Sequence, residues 1–221
     1  MTSCVFDIET DGLIEECTKV HCLVVYDIEE DRLFSFVGDE VEDGLFFIKN
    51  FSRIIGHNII SFDLPVLKKI FKYETDPEQE IVDTLVMSKL IYPDRAVRDA
   101  KKNSISKDMY GRHSLKSWGQ RLGLHKGDFT DFKEFSPEMV MYCENDVELN
   151  HMLYRKLTEA NFSEESIQLE HEIHKICLKQ TENGFPFDTR KASRLYAILA
   201  EKRNILQKEL KEAFGNWTET E

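Results

Sequence analysis

Asp7 and Glu9 lie one residue apart in the run Cys4-Val5-Phe6-Asp7-Ile8-Glu9-Thr10, which Asp11-Gly12 closes. Side chains on a strand alternate between faces, so the two carboxylates point one way while Phe6 and Ile8 point into the core. Two carboxylates side by side repel each other, and a divalent cation between them relieves that repulsion. Hard cations such as magnesium take oxygen ligands. Alone, Asp7-Ile8-Glu9-Thr10 is more simply a strand with its polar face in water. A metal site needs further ligands from elsewhere in the chain.

Two other stretches offer them. Asn58 and Asp63 stand in an Asn-x4-Asp spacing, with Asp63 at the start of an expected helix, where a capping aspartate is common. Tyr142 and Asp146 are four apart within an expected helix and share one face. That face adjoins the apolar stripe through Cys143 and Val147, so it points at the sheet. An inward aspartate is costly unless it is paired, hydrogen-bonded or metal-bound. An inward tyrosine is ordinarily an amphipathic core residue. Each feature has an ordinary structural explanation. Together, in this order and within a domain of about 150 residues, they point to a carboxylate metal centre.

The elements that must position these groups follow from apolar periodicity. Val20 to Tyr26 and Arg32 to Val37 are rich in β-branched and aromatic residues around a short acidic connection, which predicts a hairpin and, with the first strand, an antiparallel three-stranded start. A helix is expected over 42–51, a short buried strand over 53–57 and a helix over 62–71. A further strand over 80–84 ends in a helix cap, with a helix over 85–92. Residues 94–112 have weak periodicity and are expected to form a loop or hairpin excursion. Ser114 to Leu122 returns to helix, terminated by Gly123. Ser136-Pro137-Glu138 supplies cap, proline and acid for a helix to about Ala160. Two further helices, about 163–183 and 191–214, predict a C-terminal helical hairpin. The expected organisation is a domain over 1–161 and a helical appendage over 162–221.

Composition bounds the function class. The chain has 221 residues, 41% of them hydrophobic and 32% charged, in the range of globular domains that bury a core. No stretch approaches the roughly 20 apolar residues of a membrane span, and the N-terminus lacks the features of a signal peptide. Five scattered cysteines (Cys4, Cys17, Cys22, Cys143, Cys177) without a C-x-x-C pair argue against a disulfide framework or zinc site and for a reducing, cytoplasmic setting. The net charge is −12, yet Arg95 to Lys126 holds nine Lys/Arg and two acids. Such a basic segment on an acidic body is either a solvated loop or a track for a phosphate backbone.

The motif set resembles the three exonuclease motifs of the DEDD superfamily of 3′–5′ exonucleases, and within it the proofreading domain of family A DNA polymerases of the T-seven phage type. His57-Asn58 with Phe62-Asp63, Val82-Asp83-Thr84-Leu85, His113 to Gly123 with Trp118, and Lys126-Gly127-Asp128-Phe129 carry the likeness. Asn183-Gly184-Phe185-Pro186-Phe187-Asp188 resembles the entry into a polymerase thumb. The resemblance implies an RNase H-like α/β fold: a mixed sheet flanked by helices. It assigns Asp7, Glu9, Asp63 and Asp146 as metal carboxylates and Tyr142 as the mark of the tyrosine subclass, since Met141 stands where the histidine subclass has its histidine.

With that resemblance, the chemistry is phosphodiester hydrolysis by two divalent ions, Mg or Mn, about 4 Å apart. Asp7 bridges both ions, Glu9 and Asp146 complete the nucleophile side, and Asp63 holds the second ion. Tyr142 positions the attacking water; the ordinary tyrosine pKa of about 10 makes it a poor general base. The resemblance also places Leu13 and Phe62 against terminal bases and Thr10 and Asn58 along the backbone, although Leu13 and Phe62 equally suit core packing. The expected partner is a single-stranded DNA 3′ end, with a polymerase module in cis or in trans and no membrane, in the cytoplasm of a bacterial host if the gene is a phage's. The alternatives are an RNA-trimming exonuclease of the same superfamily and a non-catalytic DNA-end or polymerase docking module.

Overall fold

Ser3–Thr10 forms strand β1, and its register explains the placement of the first two acids. The computed structural model describes residues 2–102, 105–124 and 129–215. β1 pairs antiparallel with β2 (Val20–Asp27), which pairs antiparallel with β3 (Arg32–Val37). On its other edge β1 pairs parallel with β4 (Arg53–Gly56), which pairs parallel with β5 (Glu80–Asp83). The sheet order is therefore β3-β2-β1-β4-β5, with β1 central.

A central strand is covered on both faces. Cys4, Phe6 and Ile8 join one core with Leu23, Ile54 and residues of α1 (Val41–Ile48) and α2 (Asp63–Phe71). Val5 faces the opposite core, with Cys22, Val24 and Ile55, under α3 (Thr84–Ile91), α5 (Leu115–Leu122) and α6 (Pro137–Thr158). Fully buried side chains such as Phe6 and Leu23 each contribute roughly 1.5–3 kcal/mol. The expected mixed sheet flanked by helices is what forms. The Asp7/Glu9 face is not a water-facing surface, because α6 lies across it.

One expected excursion is a helix. Arg95–Lys102 forms α4, where weak apolar periodicity predicts a loop or hairpin. Its repeat is one of charge: Asp94 pairs with Arg98 and Arg95 with Asp99, both at i,i+4, a spacing that supports a helix without an apolar stripe. Lys126, which ends the basic segment, and Lys126-Gly127-Asp128 of the resemblance lie outside the described residues.

The chain divides into two compact units, Met1–Lys179 and Gln180–Glu221. Helix α7 (Glu164–Asn183) lies largely in the first. Within the second unit, α8 (Thr189–Phe214) is capped by Asp188, whose side chain accepts the Lys191 N–H at 2.9 Å.

Candidate active site

β1 delivers Asp7 and Glu9 by alternation. Asp7 lies opposite Val24 and Glu9 opposite Cys22 in the β1–β2 ladder, and the register shifts between Glu9 and Thr10. Such an irregularity re-aims the strand where pairing ends. Glu9 is 8% exposed and Asp7 half-buried. Ligand atoms of Asp7, Glu9 and Cys143 all lie within 4.8 Å of one another.

α6 supplies the opposing wall. Ser136 caps it by accepting the Met139 N–H, with Pro137 as its first residue. Its buried face carries Met139, Cys143, Asp146 and Val147, so Asp146 is turned inward as the spacing predicts and is 4% exposed. Cys143 Sγ lies 3.5 Å from the Asp7 carbonyl oxygen and 3.9 Å from Asp7 Oδ2. Burial, reinforced by Cys22 and Asp7, pushes the Cys143 thiol well above the ordinary cysteine range. The Tyr142 ring packs at 5.7 Å from Phe129 and 6.0 Å from Phe132.

Asp63 is the first residue of α2, but it does not cap that helix: the cap position is Phe62, with no side-chain bond. Asp63 is 2% exposed, and its Oδ1 is buried with no hydrogen-bond partner among the described residues. Burial above all raises its pKa to about 7; the Asp83 charge adds to the rise, while the backbone amide of Asp63 itself and, less, the Ile8 backbone oppose it. A buried carboxylate oxygen beside β1, left unsatisfied by protein, is what a cation ligand requires.

The loop that carries Asp63 is organised by Asp83. Its carboxylate accepts the N–H groups of Asn58 (2.9 Å), Ile60 (3.2 Å) and Leu85 (2.9 Å), so one side chain caps α3 and pins the turn after β4. Asn58 adopts φ +69°, a left-handed conformation that asparagine tolerates. Gly56 precedes this turn, and a Cβ there would meet Ile59 Cγ2 at 1.7 Å. From α7, His171 Nε2 accepts the Asp83 N–H at 2.7 Å, and His174 Nε2 bonds the Ser61 hydroxyl at 2.8 Å. The Thr84 hydroxyl donates to Asn150 Oδ1 on α6 at 2.7 Å, and His57 Nδ1 bonds Thr84 Oγ1 at 2.9 Å.

The remaining residues singled out in the sequence divide. Leu13 is 75% exposed, so core packing does not account for it. Phe62 is partly buried and packs against the first core. Thr10 is buried and its Oγ1 donates to the Gly12 carbonyl at 2.8 Å. The loop bearing Leu13 is held to α2 by Lys69, whose Nζ donates to the carbonyls of Ile14 (2.7 Å), Glu15 (3.1 Å) and Cys17 (2.8 Å). Sequence reasoning missed Lys69, His171, the second task of Asp83 and the thiol beside Asp7. Only Cys143 left a signal, since it sits three residues before Asp146 on the same inward stripe.

Among the described residues the group close enough to share one ion is Asp7, Glu9 and Cys143, two carboxylates and a thiol; Asp63 and Asp146 are buried but do not join that group. The carboxylate oxygens suit a hard divalent cation and the thiol a softer one. Among the described residues no helix is long and apolar enough to cross a membrane.

A family model described as RNase_H_2, of the RNase_H superfamily, matches residues 4–158. A DNA-directed DNA polymerase of Enterobacteria phage T3 is 31% identical over 267 residues, covering 96% of this chain and 37% of the relative. A DNA-directed DNA polymerase of Escherichia phage T7 is 30% identical over 262 residues, with the same coverage of 96% and 37%. The chain thus spans little more than a third of the length of these curated relatives. Among solved structures, Brucella melitensis NrnC bound to pGG superposes with a TM-score of 0.53 at 18% identity, over 80% of each chain. The same protein with bound Mg2+ gives 0.52, also at 18% identity and 80% coverage. At that identity the likeness is one of fold.

Proposed function

The chain belongs to the RNase H superfamily, and from that premise we propose that it is a metal-dependent 3′–5′ exonuclease acting on the 3′ end of single-stranded or frayed DNA, a proofreading activity. The observation that carries this is the convergence of β1 and α6. Asp7 and Glu9 lie side by side, with ligand atoms within 4.8 Å, under the helix that turns Asp146 inward. Asp63 adds a buried carboxylate oxygen with no hydrogen-bond partner among the described residues.

In this proposal Asp7, Glu9, Asp63 and Asp146 hold two divalent ions, Mg or Mn. When bound, the ions lower the pKa of water and offset the charge on the leaving oxygen. Asp7 would serve both ions, Glu9 and Asp146 the nucleophile side, and Asp63 the leaving-group side. Tyr142 orients the attacking water through its hydroxyl, and its ring is braced by Phe129 and Phe132. The water oxygen bonds to phosphorus and gives up a proton, the bond from phosphorus to the 3′-oxygen breaks, and that leaving oxygen takes up a proton from solvent. Leu13 and Phe62 contact the terminal bases, for which apolar contact is sequence-tolerant, while Thr10 and Asn58 hold the backbone.

The nuclease domain is assigned to 1–161, and 162–221 to a helical appendage resembling the start of a polymerase thumb. A polymerase module in cis or in trans is the partner this implies. Polymerase relatives favour DNA over RNA as the substrate. The test is one assay with Mg or Mn on strands labelled at the 5′ end, in DNA and RNA forms. A ladder shortening from the 3′ end of DNA supports the proposal. Preferential RNA trimming would replace it with the RNA exonuclease, and an intact strand of both kinds would favour a docking module.

A further inference from the structure

The basic segment contains cations of two kinds. Asp99 is 0% exposed and is clamped by two guanidinium groups. Arg95 approaches Asp99 Oδ1 at 2.9 Å, Arg121 reaches Oδ2 at 2.8 Å, and the Gly111 N–H donates to Oδ2 at 3.0 Å. Both guanidiniums also stack on Trp118, at 5.3 and 4.9 Å from its ring. These two arginines are therefore built into the wall, with their bonding groups largely used inside the protein.

The wall borders a cavity of about 380 Å³ whose nine lining residues include six cations and no acid: Arg95, Arg98, Lys101, Lys102, Arg121 and Lys156. Lys101 and Lys102 are exposed, and neither has an acidic partner among the described residues. Arg98 and Lys156 are half-exposed and pair with Asp94 and Glu159, which are themselves half-exposed or more. Exposed pairs of this kind are worth about 0–1 kcal/mol and exchange readily for another anion. On a chain of net charge −12, this concavity concentrates positive charge. Tyr92 borders the same cavity, while Trp118 lies buried beneath the Arg95 and Arg121 guanidiniums as part of its floor. A concave run of cations with no acid among its lining residues suits the regularly spaced phosphates of a polynucleotide backbone.

Resting on the proposed exonuclease function, we propose that this cavity binds backbone phosphates of the substrate strand on the 5′ side of the scissile bond. Lys156 lies ten residues beyond Asp146 on α6, about 15 Å along the helix. One or two nucleotides at the catalytic carboxylates cannot reach it, whereas a longer strand can. The cavity is then a hold on long substrates that short ones do not feel.

The test is the double substitution Lys101→Glu/Lys102→Glu in the full chain, alongside wild type, with melting temperature as the folding control. Binding of a labelled 15-nucleotide single strand is measured in EDTA across a salt series, and hydrolysis of a dinucleotide is measured in Mg. The expected result is affinity for the long strand reduced about tenfold or more, a salt slope shallower by about 1.4 for two lost contacts, and unchanged dinucleotide hydrolysis. Unchanged affinity for the long strand overturns the proposal, as does an equal loss on the dinucleotide. Competition by polyglutamate as effective as by the oligonucleotide would also overturn it, marking a general polyanion site. If wild type hydrolyses nothing, the exonuclease function fails, while the binding measurement still decides the cavity.

Discussion

The thiol of Cys143 on α6 lies 3.9 Å from Asp7 Oδ2 on β1. At zinc–sulfur and zinc–oxygen bond lengths of about 2.3 and 2.1 Å, two ligand atoms that far apart fit on one ion. A soft ligand thus borders a site otherwise made for hard cations. Zinc or cadmium added to the magnesium-loaded protein is expected to inhibit, and Cys143→Ser to weaken that inhibition about tenfold or more. Titration of activity against cadmium at fixed magnesium measures this; equal inhibition of both proteins would show the thiol takes no part.

Replacing Asp7 and Glu9 together by alanine is expected to abolish hydrolysis while leaving the fold intact, because two neighbouring like charges are removed from the sheet. Asp146→Asn should lower the rate by orders of magnitude. Tyr142→Phe should cost far less, since the ring contacts with Phe129 and Phe132 survive. Single-turnover rates on one labelled strand rank the three. Equal losses in the two single variants would contradict the separate roles given to them.

Asp63 makes the metal-free protein pH-sensitive. Its folded pKa is raised to about 7, with burial as the main cause, against about 3.9 in an unfolded chain. Between those values the folded state holds more protons than the unfolded state, so stability should fall as pH rises from about 4 to about 7. Urea denaturation in EDTA at pH 4.5 and 7.5 checks this. Asp63→Asn is expected to remove that contribution, and a wild-type slope identical to the variant's would refute it.

Gly56→Ala tests the turn that carries Asp63. The added Cβ would stand 1.7 Å from Ile59 Cγ2 and 3.2 Å from the Phe6 carbonyl oxygen. Ile59 is fully buried and branched at Cβ, which carries that methyl, so it has little room to swing away. A loss of about 1–3 kcal/mol is expected, together with reduced activity; an unshifted denaturation midpoint would show that the turn yields freely.

Asp99→Ala leaves Arg95 and Arg121 buried with unmatched charge. Breaking a buried ion pair from one side costs about 3–5 kcal/mol. Burial opposes ionisation of Asp99, but Arg121, the Gly111 amide and Arg95 override it and hold the carboxyl at about 2. This contribution is present above the unfolded pKa and is lost as pH falls through about 2. Chemical denaturation at neutral pH measures the cost, and a loss below about 1 kcal/mol would show the clamp is incidental.

The fold was legible because its strands alternate or run apolar within short, well-punctuated segments. β1 to β5 and the cap of α6 follow from local pattern. α4 was not legible, since its period lies in charge rather than in apolar residues. The carboxylates Asp7, Glu9, Asp63 and Asp146 could be nominated only jointly. What each contributes by burial depends on α6 crossing the β1 face, a contact between segments some 140 residues apart. The supports of the site were hidden for the same reason. Asp83 binds backbone amides of a turn 25 residues away, and His171 holds Asp83 across 88 residues. Nothing in the local pattern of either segment marks its partner.

Lys69 grips three carbonyls of the loop behind Leu13, those of Ile14, Glu15 and Cys17, while Asp63 opens the same helix six residues earlier. The distance along α2 is about 9 Å. The exposed leucine tip and the buried carboxylate are thereby mounted on one lever with Lys69 as its rivet. In the proposed exonuclease a terminal base held at Leu13 would bear on the helix that opens with Asp63, and removing the Lys69 ammonium is expected to loosen that link.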